Sequence, residues 1–237
     1  MKLHVTEVGS GSRIVVLLHG MMGSRESWWR VTRALVERGC RVLAIDLPGH
    51  GASPRDAHLT IESAAMAVVE AVRAATTTPP AVAIGHSLGG VVLAAAAADL
   101  GAAHVVLVDA IPALVGEQDR HTVAEQYERD RVARTSVEFL ASRPGYSSHD
   151  AEVEARAARA FDPATTAALV SGRSRSWSLP GGSIVVRADP SSFVPDASAR
   201  ALIASGVDVR GIRGARHSVW FGHFDEFVAA LPEVFAW

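Results

Sequence analysis

Apolar positions fall along this chain in two textures. Short β-rich runs at 14–18, 41–45, 81–85 and 104–108 are apolar at nearly every position, the pattern of strands covered on both faces. Residues 3–8 alternate instead and predict an edge strand. Between and after these runs, 28–38, 61–75 and 88–100 predict helices. Ser27 stands where a cap for the first belongs, Gly39 closes it, and Thr60 caps the second. The alternation stops after Asp109. From 114 to 179 no strand-like run occurs, arginines and acids rise, and 117–142, 151–161 and 163–177 predict helices. Strand texture then returns at 183–187 and 207–212, with a helix at 196–205 between them and a closing helix at 225–237. Strands separated by helices predict an α/β fold with a mostly parallel central sheet and helices on both faces. Residues 1–112 and 181–237 form its core, and 113–180 a helical cap inserted after the strand ending at Asp109. Such an insertion lies over the carboxyl ends of the strands, where open parallel sheets carry their sites.

One stretch stands out within this pattern. Val82-Ala83-Ile84 leads into Gly85-His86-Ser87-Leu88-Gly89-Gly90 and then into an alanine-rich run. Strand, sharp turn and helix in that order hold a serine exposed on a strained backbone. Gly85 and Gly89 remove the Cβ atoms that would collide where strand and helix approach the turn.

With 237 residues, 49% of them hydrophobic, the chain suffices for one globular domain with a sizeable core. Its formal net charge of −2 gives no electrostatic case for nucleic acid or an anionic membrane. Cys40 is the only cysteine, so an intrachain disulfide and a cysteine-rich metal site are excluded. The first residues carry no apolar h-region, and the longest apolar run, 88–98, is too short to span a bilayer. A cytoplasmic protein is the expectation.

Four strand ends carry polar residues in suggestive contexts. They are His19-Gly20-Met21-Met22-Gly23-Ser24, Asp46-Leu47-Pro48-Gly49-His50-Gly51-Ala52-Ser53, the Gly85–Gly90 turn, and Gly214-Ala215-Arg216-His217-Ser218. Together and in this order they resemble the α/β-hydrolase family. The resemblance runs from about Leu3 to the C-terminus, with 111–182 matching only as a variable cap. It implies that Ser87 is the nucleophile and His217 the general base. The backbone N–H groups of Met21 and Leu88 match the oxyanion-hole positions. The acid departs from the family pattern. After the sixth core strand, where most relatives read G-x-x-D, the chain has Ala188-Asp189-Pro190-Ser191, and serine cannot balance an imidazolium. Asp109, at a position that resembles the alternative acid site of haloalkane dehalogenases, is the preferred acid. Asp189 and Asp196 stay open as alternatives.

The resemblance therefore implies a serine hydrolase that cleaves an ester, lactone or thioester of a small-molecule acyl substrate, with no cofactor and no metal. Rivals on the same residues are an acyltransferase, a thioesterase or a lyase. A further rival is a ligand-binding protein with weak turnover. A serine nucleophile argues against the dehalogenase and epoxide-hydrolase branches, which need a carboxylate there.

The remaining polar residues read more plainly. His19 and His50 hold loop backbone, Asp46 ties the glycine-rich loop, and His86 packs or lines the pocket. His121, His149 and His223 show no metal-ligand spacing. Arg25, Trp28, Trp29 and Trp220 are candidates for the pocket wall. The cap arginines read as a solvated face, with Glu125–Arg129 and Glu152–Arg156 at pairing distance along a helix. An inward-facing one would recognise a carboxylate or phosphate.

Overall fold

The computed structural model describes residues 1–236. In chain order the core runs β1 (Val5–Val8), β2 (Arg13–Leu18), α1 (Trp29–Val36), β3 (Cys40–Ile45), α2 (Ile61–Ala75), β4 (Val82–His86), α3 (Leu88–Leu100) and β5 (His104–Val108). An insertion follows, with β6 (Ala113–Leu114), α4 (Arg120–Ala133), α5 (Ser136–Ser142), α6 (Ser148–Arg159), α7 (Pro163–Val170) and β7 (Arg175–Ser176). The chain then returns as β8 (Ile184–Asp189), α8 (Asp196–Ala204), β9 (Asp208–Arg213), α9 (Val219–Gly222), α10 (Phe224–Ala229) and α11 (Pro232–Phe235).

Seven strands form one sheet in the order β1-β3-β2-β4-β5-β8-β9. Only β1 is antiparallel, pairing Val5 with Ile45 at its start. Because successive strand side chains point to opposite faces, β2 feeds two cores at once. Val16 and Leu18 pack under α2 and α3 with Leu43, Ala83 and Leu107. Val15 and Leu17 face the other side, among Trp28, Leu35, Trp220 and Phe227. This double burial is why the strands read as continuous apolar runs. The α3 helix is apolar nearly all round since it is pressed between the sheet and α2, and Gly101 ends it with φ 60°.

The helices α4–α7 sit between β5 and β8 in the chain, and α6 is the one clamped to the core. Fully buried Asp150 accepts from Trp29 Nε1 and Arg30 Nη2, each at 3.0 Å. One turn later Glu154 accepts from the Ser27 hydroxyl at 2.9 Å. Among the described residues no helix is long and apolar enough to cross a membrane.

Several expectations are corrected. Ser24, not Ser27, caps the helical entrance: its hydroxyl accepts from Glu26 N–H ahead of a 3-10 turn over Arg25–Trp28, and α1 begins only at Trp29. Ser27 lies buried inside that turn. The long helix expected over 117–142 is two helices, since Thr135 leaves helical backbone and caps α5 through Glu138 N–H. The third helix of the insertion stops at Val170, and the chain turns back so that Arg175 pairs with Leu114, a short ribbon where no strand was expected. The closing helix is broken at Leu231-Pro232 into α10 and α11, because proline cannot donate to the preceding turn. Its expected end, Trp237, lies outside the described residues.

Candidate active site

Strand register assembles the site. β4 pairs with β5 up to His86↔Val108, and β5 with β8 up to Val108↔Val186. Each ladder then runs one residue past the strand: Ser87 N–H donates to Val108 O at 3.0 Å, and Asp109 N–H to Val186 O at 2.7 Å. Ser87 and Asp109 thus stand at neighbouring strand ends on the same rim of the sheet. Both bend sharply there, with φ of 50° at Ser87 and 46° at Asp109, a region that costs a non-glycine residue free energy and persists where packing enforces it. The serine turn fits only because its neighbours are glycines. A Cβ at Gly85 would collide with the Gly89 carbonyl, and one at Gly89 with the carbonyls of Leu18 and His19.

His217 reaches this rim from the loop after β9. Its Nδ1–H donates to Asp109 Oδ2 at 2.8 Å, while Asp109 Oδ1 accepts Ala188 N–H at 3.1 Å. Asp109 is only 1% exposed. With Nδ1 committed as a donor, Nε2 of the neutral ring is left as the basic nitrogen. The two other carboxylates considered are elsewhere: Asp189 and Asp196 both hold Arg187, at 3.2 and 2.6 Å. Ser191 accepts the N–H groups of Phe193 and Val194.

The Met21 and Leu88 N–H groups make no hydrogen bond within the described residues. Leu88 opens α3, so its N–H points out of the positive end of the helix. Met21 sits in a turn that is fixed by others: Gly23 N–H donates to Gly20 O, and Met22 N–H to His50 Nε2 at 3.3 Å. His50 in turn donates Nδ1–H to Pro48 O, and burial beside His19 pushes its pKa down to about 3. His19 donates to Gly20 O and accepts Leu47 N–H, and burial lowers its pKa too. Both histidines hold loop backbone. Asp46 does the same through Arg25 N–H, Arg25 Nη1 and Ala52 N–H.

His86 donates Nε2–H to the His217 carbonyl at 3.0 Å and stands edge-on to Trp220. Burial and the adjacent His217 keep its pKa well below the usual histidine range. Ser87, His217, Met21 and His86 all line one cavity of about 480 Å³, inside the size range of small-molecule sites. Of the four candidates for its wall, only Trp220 lines it. Trp28 is stacked on Trp220 in the core, Trp29 bonds Asp150, and Arg25 bonds Asp46.

From the insertion, Tyr127 and Glu154, which the sequence pattern leaves unmarked, line the cavity, and so do Arg134 and Arg143, two of the cap arginines read as a solvated face with one inward-facing member. Phe193, stacked on His217, was equally unmarked. A signal existed, for it is the only aromatic residue between Trp177 and Trp220. The pairs expected along the insertion helices form with other partners. Arg129 bonds Gln126, Arg156 bonds Glu26, and Glu125 faces His121.

Comparison with known proteins agrees with this architecture. The chain is 34% identical over 117 residues to protein phosphatase methylesterase 1 of Mus musculus, covering 47% of this chain and 28% of that protein. It is 39% identical over 125 residues to the lipase LipV of Mycobacterium tuberculosis, covering 51% of this chain and 46% of that one. The matched segments therefore span less than half the length of these relatives. A bromoperoxidase from Bacillus anthracis superposes with a TM-score of 0.80 at 21% identity, over 99% of this chain and 95% of its own. A marine microorganism esterase does so with a TM-score of 0.74 at 18% identity, over 98% and 99%. Residues 15–230 match the family described as the alpha/beta hydrolase family, and the chain belongs to it.

Proposed function

We propose that the protein is a serine hydrolase that cleaves an ester of a small-molecule acyl substrate through an acyl-enzyme on Ser87. The observation that carries this reading is the bond from His217 Nδ1–H to buried Asp109, with Ser87 lining the same cavity. A ring so oriented turns Nε2 toward proton transfer and has a carboxylate behind it to balance the imidazolium. Residues 113–180, which carry α4–α7, act as the cap over the site.

Ser87 Oγ attacks the substrate carbonyl carbon as its proton passes to His217 Nε2. The carbonyl oxygen becomes an oxyanion and accepts from the Met21 and Leu88 N–H groups, which have no competing partner among the described residues. Collapse re-forms the carbonyl, breaks the bond to the leaving alkoxide, and hands that oxygen the proton from His217. Water then attacks the acyl-enzyme with His217 again as base, releasing the acid and restoring Ser87. Relatives named as a methylesterase and a lipase support an ester as the bond cleaved.

A fluorophosphonate probe tests the reading. Stoichiometric labelling of the folded protein at Ser87, abolished in Ser87→Ala, is the expected result. Folded protein that takes up no label would overturn it.

A further inference from the structure

Two guanidinium groups line the cavity that holds Ser87 and His217, and they are not in the same electrostatic state. Arg134 Nη2 donates to Glu154 Oε2 at 3.0 Å. That carboxylate is buried and also takes the Ser27 hydroxyl. Arg134 is thus neutralised, yet its Nε is buried and has no hydrogen-bond partner.

Arg143 has no carboxylate partner among the described residues. Its side chain makes one polar contact, from Nη1 to the Tyr146 hydroxyl at 3.3 Å. The guanidinium lies 5.0 Å from the Phe139 ring centre and 5.5 Å from that of Tyr146. Two aromatic faces fix the plane of the fork without cancelling its charge. The Tyr146 ring also stands edge-on to Phe221, which packs on Trp220 in the cavity wall, so the aromatic shelf under this cation continues toward the site. The other acid lining the cavity, Asp130, is exposed and already accepts the Gln126 amide at 2.7 Å. What remains is one oriented cation that no carboxylate contacts among the described residues, in the cavity that Ser87 and His217 line.

From this arrangement we infer that the substrate carries a carboxylate, bound by the Arg143 fork. This rests on the serine-hydrolase reading for the bond cleaved, and it names the class of ester. A single guanidinium without a carboxylate partner matches a carboxylate better than a phosphate monoester, which brings close to two negative charges. A guanidinium fork donates to both oxygens of a carboxylate together, and charge-assisted bonds of this kind are about twice as strong as neutral ones.

The experiment compares kcat/KM for matched esters. One pair is 4-nitrophenyl butyrate and mono-4-nitrophenyl glutarate, with the carboxylate on the acyl part. The other is phenyl butyrate and 4-carboxyphenyl butyrate, with it on the leaving group. In one pair the anionic ester is expected to be favoured by about tenfold or more. Arg143→Gln brings that ratio close to one, and Arg143→Lys, which keeps the charge but not the fork, keeps part of it. The neutral member winning in both pairs, or a ratio unchanged by Arg143→Gln, would overturn the inference.

A binding measurement separates this outcome from the fate of the serine chemistry. Monomethyl glutarate titrated by calorimetry into Ser87→Ala is expected to bind about tenfold more weakly when Arg143→Gln is added. Equal binding overturns the carboxylate subsite. Failure of Ser87 to take a fluorophosphonate label overturns the hydrolase reading and leaves this binding result standing.

Discussion

Phe193 lies flat on the His217 imidazole, with ring centroids 3.5 Å apart and planes only 17° from parallel. Its loop is held by Ser191 Oγ, which accepts the N–H groups of Phe193 and Val194 at 3.0 and 2.9 Å. The hydroxyl at the position where the family resemblance leads one to expect an acid thus orders the loop that carries this ring. The phenyl covers one face of the imidazole and blocks its rotation away from Asp109. Phe193→Ala is expected to lower kcat for a chromogenic ester by roughly tenfold to a hundredfold, because a small misplacement of a reacting group carries a penalty of that size. KM should move much less, and Phe193→Trp should keep most of the rate. A loss confined to KM would make the ring a substrate contact instead.

Asp109 and Asp189 are separated by their surroundings more than by their chemistry. Asp109 is buried and bonded to His217, whereas the Asp189 side chain is 45% exposed and bonded to Arg187. Asp109→Asn is expected to cut esterase kcat by about four decades, since the amide would favour the wrong tautomer of the base. Asp189→Asn should stay within a few fold. Steady-state rates of the two purified variants decide the matter, and the reverse order would move the acid to Asp189.

Much of the core was readable because strand burial on both faces leaves a simple trace. The runs at 14–18 and 104–108, and the helix capped by Thr60, need no knowledge of distant contacts. The Ser87 turn was readable because its glycines mark close approaches, Gly85 to the Gly89 carbonyl and Gly89 to the end of β2. Asp109 was harder, because its partner is 108 residues away and only the β5–β8–β9 register brings them together. The insertion was read least well. Its first two helices, α4 and α5, are mostly solvated, so their ends are set by caps such as Asp119 and Thr135 rather than by periodicity. Arg134 and Arg143 look like any surface arginine until Glu154, Phe139 and Tyr146 are seen around them.

Asp150 pins the insertion to the core with more acceptor bonds than a surface acid makes. Besides Trp29 Nε1 and Arg30 Nη2 it accepts the Ser147 N–H at 2.8 Å and the Ser147 hydroxyl at 2.7 Å. Arg30 is 27% exposed and regains water when its partner is lost, so the penalty falls below that of a fully buried broken pair. Asp150→Ala is expected to cost about 2 kcal/mol of unfolding free energy, read from urea melts. It should also speed proteolysis within 113–147. A melt that matches the parent would mean that α6 is held by its apolar contacts alone.

Three buried histidines set an acid limit on stability. Burial lowers the pKa of His19, His50 and His86, and that of His50 falls from 6.5 to about 3. Each is neutral in the fold and free to take a proton when unfolded, so its stabilising effect is complete above about pH 6.5 and is lost as the pH falls toward the folded value. Between pH 6.5 and 5 the unfolded chain binds protons that the native one refuses. His50 then removes up to about 1.4 kcal/mol per pH unit, and His86 and His19 act in the same direction. Few carboxylates titrate in that interval, so histidine dominates the slope there. Urea melts at pH 7.5, 6 and 5 should show stability that is level at first and then drops steeply. His50→Gln, whose Oε1 stands near the place of Nε2 and can still accept the Met22 N–H, should make that drop shallower by about one proton's worth. A stability that is flat or rising from pH 6.5 down to 5 would mean that these rings take up protons without unfolding the loops they hold.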